Sequence, residues 1–312
     1  MTDQPKLSPS LSVPASASKP TWKQVLDRHA PVLLPAAHDG LSARLIEQAG
    51  FVAYQIGGFA YAGAHFGYPD IDLIHYGEIS AGVRDLVVES SLPVMIDADD
   101  GYGDAKNVTR TVRGYEALGV SAMFLEDQAA PKRCGHMEGK RVIPADVMAG
   151  KVRAAVAARR NPDTFLIART DARESDGLDE ALRRGELYLK CGADGLFIEA
   201  PHTVEELEKI AKTFAGTPLI ANMLEGGGRT PILTPTELGK LGFAMITYPT
   251  SIIFRVAKTI QMALADLRAG RPLPTDQSLN FETYEAALGL PAWREIESEY
   301  SPSPDAGTRG RA

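Results

Sequence analysis

The sequence predicts an α/β fold, a (β/α)8 barrel with a C-terminal helical arm. Three observations carry that expectation. Short apolar runs bounded by turn residues alternate with longer stretches of helical spacing or helix-forming composition, the pattern of parallel strands joined by crossover helices. The runs show no polar alternation, as expected of strands covered on both faces. Such units recur within about 240 residues, the extent of a single barrel.

The first strand is expected at Val32–Ala37, ending in His38 and Asp39, with Leu41–Gln48 as its helix. The second, Val52–Ile56, runs into Gly57-Gly58. The third, Val94–Ala98, carries Asp97 and is followed by Asp99 and Asp100, then by the helix Asn107–Leu118. Ala122–Leu125 stops at Glu126-Asp127 and precedes the helix Ala145–Ala158. Phe165–Ala168 yields Arg169-Thr170-Asp171, then the helix Leu178–Lys190. Gly195–Ile198 ends in Glu199 before Val204–Phe214. Pro218–Ala221 leads to Asn222 and Glu225, with Pro235–Lys240 behind it. The last, Ala244–Thr247, gives Tyr248 and Ser251 and continues into the helix Ile252–Leu267.

Residues 1–20 and 301–312 are expected to be disordered tails, 21–270 the catalytic barrel, and 271–300 the arm, which follows the link Arg271-Pro272-Leu273-Pro274. The chain of 312 residues is 44% hydrophobic and 23% charged, enough for a full core. A net charge of −7 without a long basic run argues against nucleic acid or an anionic membrane as partner. No apolar run reaches the roughly 20 residues that span a bilayer, and the N-terminal stretch lacks the apolar centre of a signal peptide. Two cysteines, Cys134 and Cys191, are too few for a disulfide framework, so the expected location is cytoplasmic.

Active sites of such barrels assemble at the carboxyl ends of the strands. One polar residue there is commonly a helix cap, but polar residues at every strand end point to one active rim. Asp97 and Asp99, with Glu126 from the neighbouring strand, place several carboxylates near one point. They would repel one another unless a cation neutralised them. Oxygen ligands favour a hard ion, magnesium or alternatively manganese, which keeps waters and uses one or two carboxylates. Zinc is disfavoured because no His or Cys pair stands at ligand spacing. The competing reading makes Asp97 and Asp99 helix caps.

Arg169, at a strand end, can hold a carboxylate by two parallel hydrogen bonds and so suggests an acidic substrate. Gly57, Gly58 and the run Gly226-Gly227-Gly228 can let backbone N–H groups approach an anion, or can simply be flexible. Cys134 lies among Lys132, Arg133 and His136, whose positive charge is expected to bias the thiol toward thiolate. Assembled, these parts suit cleavage of a 2-hydroxy or 2-oxo acid between its second and third carbons. The leaving carbanion is stabilised as an enolate by its own carboxylate, and Cys134 protonates it. No dinucleotide fingerprint or P-loop is present.

The segments Asp97-Ala98-Asp99, Glu126-Asp127-Gln128, Lys132-Arg133-Cys134-Gly135-His136 and Ala168-Arg169-Thr170-Asp171 resemble, in order and spacing, the isocitrate lyase and phosphoenolpyruvate mutase superfamily. The Lys-Arg-Cys-Gly-His segment is similar to the signature of its lyase branch, in which the cysteine is the general acid on a mobile gating loop. The resemblance implies that Asp97 binds magnesium directly, with Asp99, Glu126 and Asp70 acting directly or through water. It also implies that Arg169 clamps substrate with Glu199 and Asn222 in the pocket. Lys132 and His136 join Cys134 and Arg169 as catalytic candidates. Tyr54, Gly57, Gly58, Glu225, Thr230 and Ser251 complete the substrate-binding candidates.

The segment Asn222–Pro231 looks most like lyases of 2-methylmalate or dimethylmalate and the related oxaloacetate hydrolases. The resemblance also implies a homotetramer that exchanges a C-terminal helix; Phe281–Leu290 and Trp293–Ile296 are the candidates, with packing on their own barrel as the alternative. Ile56 stands where relatives commonly carry serine, which suggests an apolar contact with an alkyl group of the substrate. Tyr54, a water on the metal and Glu225 all stay open as the general base. The expected activity is a magnesium-dependent carbon–carbon lyase acting on a malate-type acid. Oxaloacetate hydrolysis, 2-methylisocitrate cleavage and a non-catalytic acid-binding barrel are the alternatives.

Overall fold

A computed structural model describes residues 19–301. The chain opens with α1 (Trp22–His29), then runs β1 (Val32–Ala37), α2 (Gly40–Gln48), β2 (Tyr54–Ile56), α3 (Gly58–Phe66), α4 (Tyr76–Val88) and β3 (Val94–Asp97). It continues with α5 (Ala105–Ala117), β4 (Ala122–Glu126), α6 (Ala145–Ala158), β5 (Phe165–Thr170), α7 (Ala172–Ser175), α8 (Leu178–Lys190) and β6 (Gly195–Ile198). The last elements are α9 (Val204–Thr213), β7 (Leu219–Asn222), α10 (Pro235–Leu241), β8 (Met245–Tyr248), α11 (Ser251–Arg268), α12 (Phe281–Ala287) and α13 (Leu290–Tyr300). Every strand pairs in parallel with its neighbours in sequence, and β8 closes on β1, so the expected eight-stranded barrel is present.

The uninterrupted apolar strands follow from two cores. Val32, Leu34, Ala53, Met95, Phe124, Ile167, Phe197 and Met245 fill the barrel interior, while Tyr54, Ile56, Ile96, Leu125 and Leu166 belong to the layer between strands and helices. Helix α1, absent from the sequence reading, packs Trp22, Val25 and Leu26 into the interior cluster. Its indole Nε1 lies 3.4 Å from Met245 Sδ, at the start of β8, so α1 closes the amino-terminal end of the barrel. That leaves the carboxyl end as the open rim.

Four strands, β4, β5, β7 and β8, reach further than their apolar runs. β4 includes Glu126 and β5 includes Arg169, because these two residues stand in register as a backbone pair. Their charged side chains are thereby fixed by sheet geometry. Gly57-Gly58, expected as a loop, instead forms the cap and first residue of α3.

By compactness the described residues divide into 19–261, which holds the barrel, and 262–301. In the second unit Asn280 caps α12 by accepting from Thr283 N, and α12 lies against α13. Lys19, expected in the N-terminal tail, donates to the carbonyls of Val87, Ser90 and Leu92. The rest of both expected tails, apart from Pro20 and Ser301, lies outside the described residues. No described helix is long and apolar enough to cross a membrane.

Candidate active site

The rim separates caps from chemistry. Asp39 is a cap: its carboxylate accepts from Ser42 N at 2.7 Å at the start of α2. Asp97 and Asp99 are not, since α5 is capped by Asp104. Asp99 N donates to Asp97 Oδ1 at 3.0 Å, and Asp99 holds a positive φ of 48°, unusual for a non-glycine residue and tolerated by aspartate. Lys151, on α6, steadies this turn by donating to the Asp100 carbonyl at 2.8 Å.

Lys132 Nζ sits 2.5 Å from Asp99 Oδ1 and 2.6 Å from Asp70 Oδ1. Burial pushes Asp97 above the usual carboxylate range, despite Lys132 and Arg169. The same cause lifts Asp99 to about 7 and Glu126 well above its ordinary value. A β-carbon on Gly58 would lie 3.7 Å from Asp99 Oδ1 and 3.9 Å from Asp97 Oδ2, so the glycine keeps space open beside both acids.

Glu126 Oε1 is buried without a hydrogen-bond partner among the described residues. Among the described residues no three His, Cys, Asp or Glu side chains converge as a ready metal cage. The donor set nonetheless fits a hard divalent ion that takes one or two carboxylates and completes its shell with water. Asp97 and Asp99, beside the Gly58 space, are the residues that would hold it.

Arg169, the expected clamp, is buried among acids. Its Nε lies 2.9 Å from Asp171 Oδ2 and 3.3 Å from Glu126 Oε2, and its Nη2 lies 3.4 Å from Glu199 Oε2. The guanidinium stacks 5.0 Å from the Phe197 ring centroid. Burial alone would lower its pKa, but Asp171, Glu126 and Glu199 outweigh it and hold the group charged. Burial works against the charge on Glu199 too; Arg169 and His136 overcome it and keep that carboxylate ionised.

The cysteine segment closes over this clamp. Cys134 N donates to the Asp70 carbonyl at 3.1 Å, and the Gln128 side chain brackets Arg133 through its carbonyl and N–H. His136 Nδ1 accepts from Arg229 N at 2.9 Å, which leaves the ring proton on Nε2, 2.9 Å from Glu199 Oε1. A β-carbon on Gly135 would fall 2.4 Å from Arg169 Nη2, so only glycine lets the loop come this close.

The expected thiolate bias of Cys134 is corrected by the structure. Burial pushes the thiol up to about 11, and Asp70 and Glu199 add to it. The basic neighbours are engaged elsewhere: Lys132 with Asp70 and Asp99, Arg133 with the Glu138 carbonyl, His136 with Glu199. Burial therefore favours the neutral thiol over the thiolate.

The remaining candidates divide. Asn222 Nδ2 reaches Glu199 and His136 at 3.3 Å, and Thr230, next in sequence to Arg229, is buried with its hydroxyl unpartnered among the described residues. Tyr54 does not reach the rim: its hydroxyl donates to the Leu86 carbonyl of α4 in the outer layer, and burial raises its pKa. Ile56 shares that outer layer by strand alternation, so it cannot supply the expected contact with a substrate alkyl group. Gln55 is the β2 residue that points inward, and its Nε2 has no partner among the described residues.

Glu225 and Ser251 hydrogen-bond each other in a flank groove lined by Leu33, Leu41, Leu45, Phe51 and Tyr248. Among the described residues no contact ties either to Cys134, Arg169 or the acids. Three groups escaped sequence reasoning: Asp127, Asp171 and Lys140. Asp127 accepts from Thr170, Tyr188, Arg184 and Asp171 N, which braces the end of β5. The motif Arg169-Thr170-Asp171 carried a signal for Asp171. Nothing marked Lys140 as buried.

Comparison with known proteins agrees with this geometry. The family described as phosphoenolpyruvate phosphomutase matches residues 23–268. The 2,3-dimethylmalate lyase of Eubacterium barkeri is 41% identical over 284 residues, covering 89% of this chain and 96% of that protein. Oxaloacetate acetylhydrolase with the inhibitor 3,3-difluorooxalacetate superposes with a TM-score of 0.83 at 30% identity, covering 89% of this chain and 95% of that one. Phosphonopyruvate hydrolase in complex with oxalate and Mg++ superposes with a TM-score of 0.79 at 29% identity, covering 89% of this chain and 97% of that one. The chain therefore belongs to the phosphoenolpyruvate phosphomutase family, in the PEP mutase/isocitrate lyase superfamily with its carbon–carbon lyases, and is an enzyme.

Proposed function

We propose that the protein is a magnesium-dependent lyase that cleaves a malate-type 2-hydroxy dicarboxylate into a 2-oxo acid and a carboxylate. The observation that carries this reading is a protonated Cys134 held over a buried arginine clamp and an acid cluster. The named activity of the dimethylmalate lyase relative supports the substrate class. The metal, magnesium or manganese, would supply Lewis acidity toward the substrate's oxygens, and the Mg++ complex of phosphonopyruvate hydrolase supports it.

The chain's own residues do the rest. Arg169, whose Nε and Nη2 edge is held by Asp171, offers its remaining N–H groups to a substrate carboxylate, and Thr230 offers a hydroxyl that is unpartnered among the described residues. Loss of the hydroxyl proton lets the bond between the second and third carbons break, its electrons passing into the adjacent carboxylate as an enolate. Cys134 Sγ then gives its proton to the third carbon. Tyr54, turned to the Leu86 carbonyl in the outer layer, does not serve as the base that takes this proton; Glu225 or a water stays the candidate acceptor. Lys132, between Asp70 and Asp99, keeps the cluster from accumulating unbalanced negative charge.

Oxaloacetate hydrolysis to oxalate and acetate is the second reading, favoured by the structural likeness to oxaloacetate acetylhydrolase. A panel of malate derivatives, oxaloacetate and 2-methylisocitrate, assayed with and without magnesium, separates the readings: a 2-oxo acid from an alkylmalate supports the lyase, and oxalate release alone supports the hydrolase. Nothing in the acid cluster or clamp has the loss of function that a non-catalytic barrel would carry. The flank groove, together with exposed Phe254 and Ile260 on α11, supports assembly into a homo-oligomer, read here as a tetramer. Two free cysteines suit a cytoplasmic setting.

A further inference from the structure

Lys140 lies six residues beyond the catalytic cysteine and is fully internal, its side chain 1% exposed. A buried ammonium needs partners for its charge and its donors. It has two, and they belong to different parts of the site. Nζ donates to the Gly135 carbonyl of the cysteine segment and, at 2.7 Å, to Asp171 Oδ1. Asp171 is the same carboxylate that fixes the clamp, accepting from Arg169 Nε at 2.9 Å and Nη2 at 3.1 Å.

We propose that Lys140 is a positioning residue that fastens the Cys134 segment to the Arg169–Asp171 clamp, so that the acid is in place only when the clamp is formed. The proposal rests on the lyase reading for its chemistry and on geometry alone for its mechanics. Gly135 lies so close to Arg169 that a β-carbon would collide with it, and its carbonyl is the atom that Lys140 holds. The opposite side of the segment is tied separately: Arg229 donates to the His136 carbonyl through Nε at 3.2 Å and pairs with Glu174 at 2.8 Å. Asp171 and Glu174 flank the start of α7, so both ties end on one short stretch after β5.

Removing Lys140 leaves both hydrogen bonds between Arg169 and Asp171 in place, so substrate capture should persist while the acid is released. Lys140→Met is compared with wild type in two assays. In the first, N-ethylmaleimide modifies the intact protein and peptide mass spectrometry follows Cys134, with Cys191 as internal reference. Loss of a charge-assisted hydrogen bond predicts about tenfold faster modification of Cys134 and no change at Cys191. In the second, kcat on the best malate-type substrate falls about fiftyfold while KM stays within about threefold, because the interaction matters for proton delivery and not for binding.

Lys140→Gln, which keeps an N–H donor, should fall between the two and serves if Lys140→Met does not accumulate as folded protein. Unchanged labelling of Cys134, equal acceleration of both cysteines, or a released thiol with unchanged kcat would each overturn the proposal. If wild type turns over no tested acid, the lyase reading fails and the labelling ratio alone decides the tether.

Discussion

Cys134 shows how far local sequence carries a chemical argument and where it stops. Its neighbours Lys132, Arg133 and His136 were legible, and they located the reactive residue. Their effect on the thiol was not, because a sequence gives adjacency along the chain and not which way charges face. In the fold all three turn to oxygens, and the sulfur is left to burial and to Asp70. Alkylation of Cys134 should therefore rise with pH only toward about 11, and activity should show no alkaline loss from this group near neutrality. A labelling profile with its midpoint near 8 would refute the assignment. Cys134→Ser should cut turnover by about 10²–10⁴, the usual range for a lost general acid, with magnesium affinity unchanged by calorimetry. Asp97, Asp99, Glu126 and Arg169 were legible for a better reason: each ends or follows an apolar strand, and sheet register leaves it little choice of direction. Tyr54 and Ile56 misled because strand alternation within β2 places them outward and Gln55 inward.

At the scale of elements, the strands could be read from their apolar runs, whereas α1, α3 and α4 could not. Helix α3 is rich in glycine, alanine and aromatic residues and opens on two glycines, which in sequence resembles a loop. Helix α1 is short, and its purpose is tertiary: Trp22 is fully buried in the barrel interior. Trp22→Ala should cost about 3–5 kcal/mol, measured by denaturant unfolding, because it leaves a cavity at the closed end. A loss below about 1 kcal/mol would mean that α1 is dispensable. The cysteine segment makes the opposite kind of prediction. Gly135→Ala forces a β-carbon into Arg169 and Glu199, so kcat should drop at least about tenfold with global stability little changed. Full activity in that variant would show that the segment works without approaching the clamp.

Across the whole molecule, eight parallel strands bring to one rim groups that lie far apart in sequence, from Asp70 to Thr230. The barrel was legible because each unit repeats the same apolar-then-polar grammar. The network behind it was not: Asp127 and Asp171 stand visibly at strand ends, but their partners are far off in sequence, and Lys140 looks like an ordinary solvated charge. Removing divalent metal with a chelator should abolish turnover and leave the barrel folded by circular dichroism, as its two cores are built from apolar side chains. The most direct test of the central claim is product analysis by NMR after incubating the protein with magnesium and 2,3-dimethylmalate in deuterated water. Wild type should yield pyruvate and propionate, the propionate carrying one deuterium at its second carbon, and Cys134→Ser should be nearly inert. Substrate left intact by wild type across the malate series, or cleavage undiminished in Cys134→Ser, would contradict it.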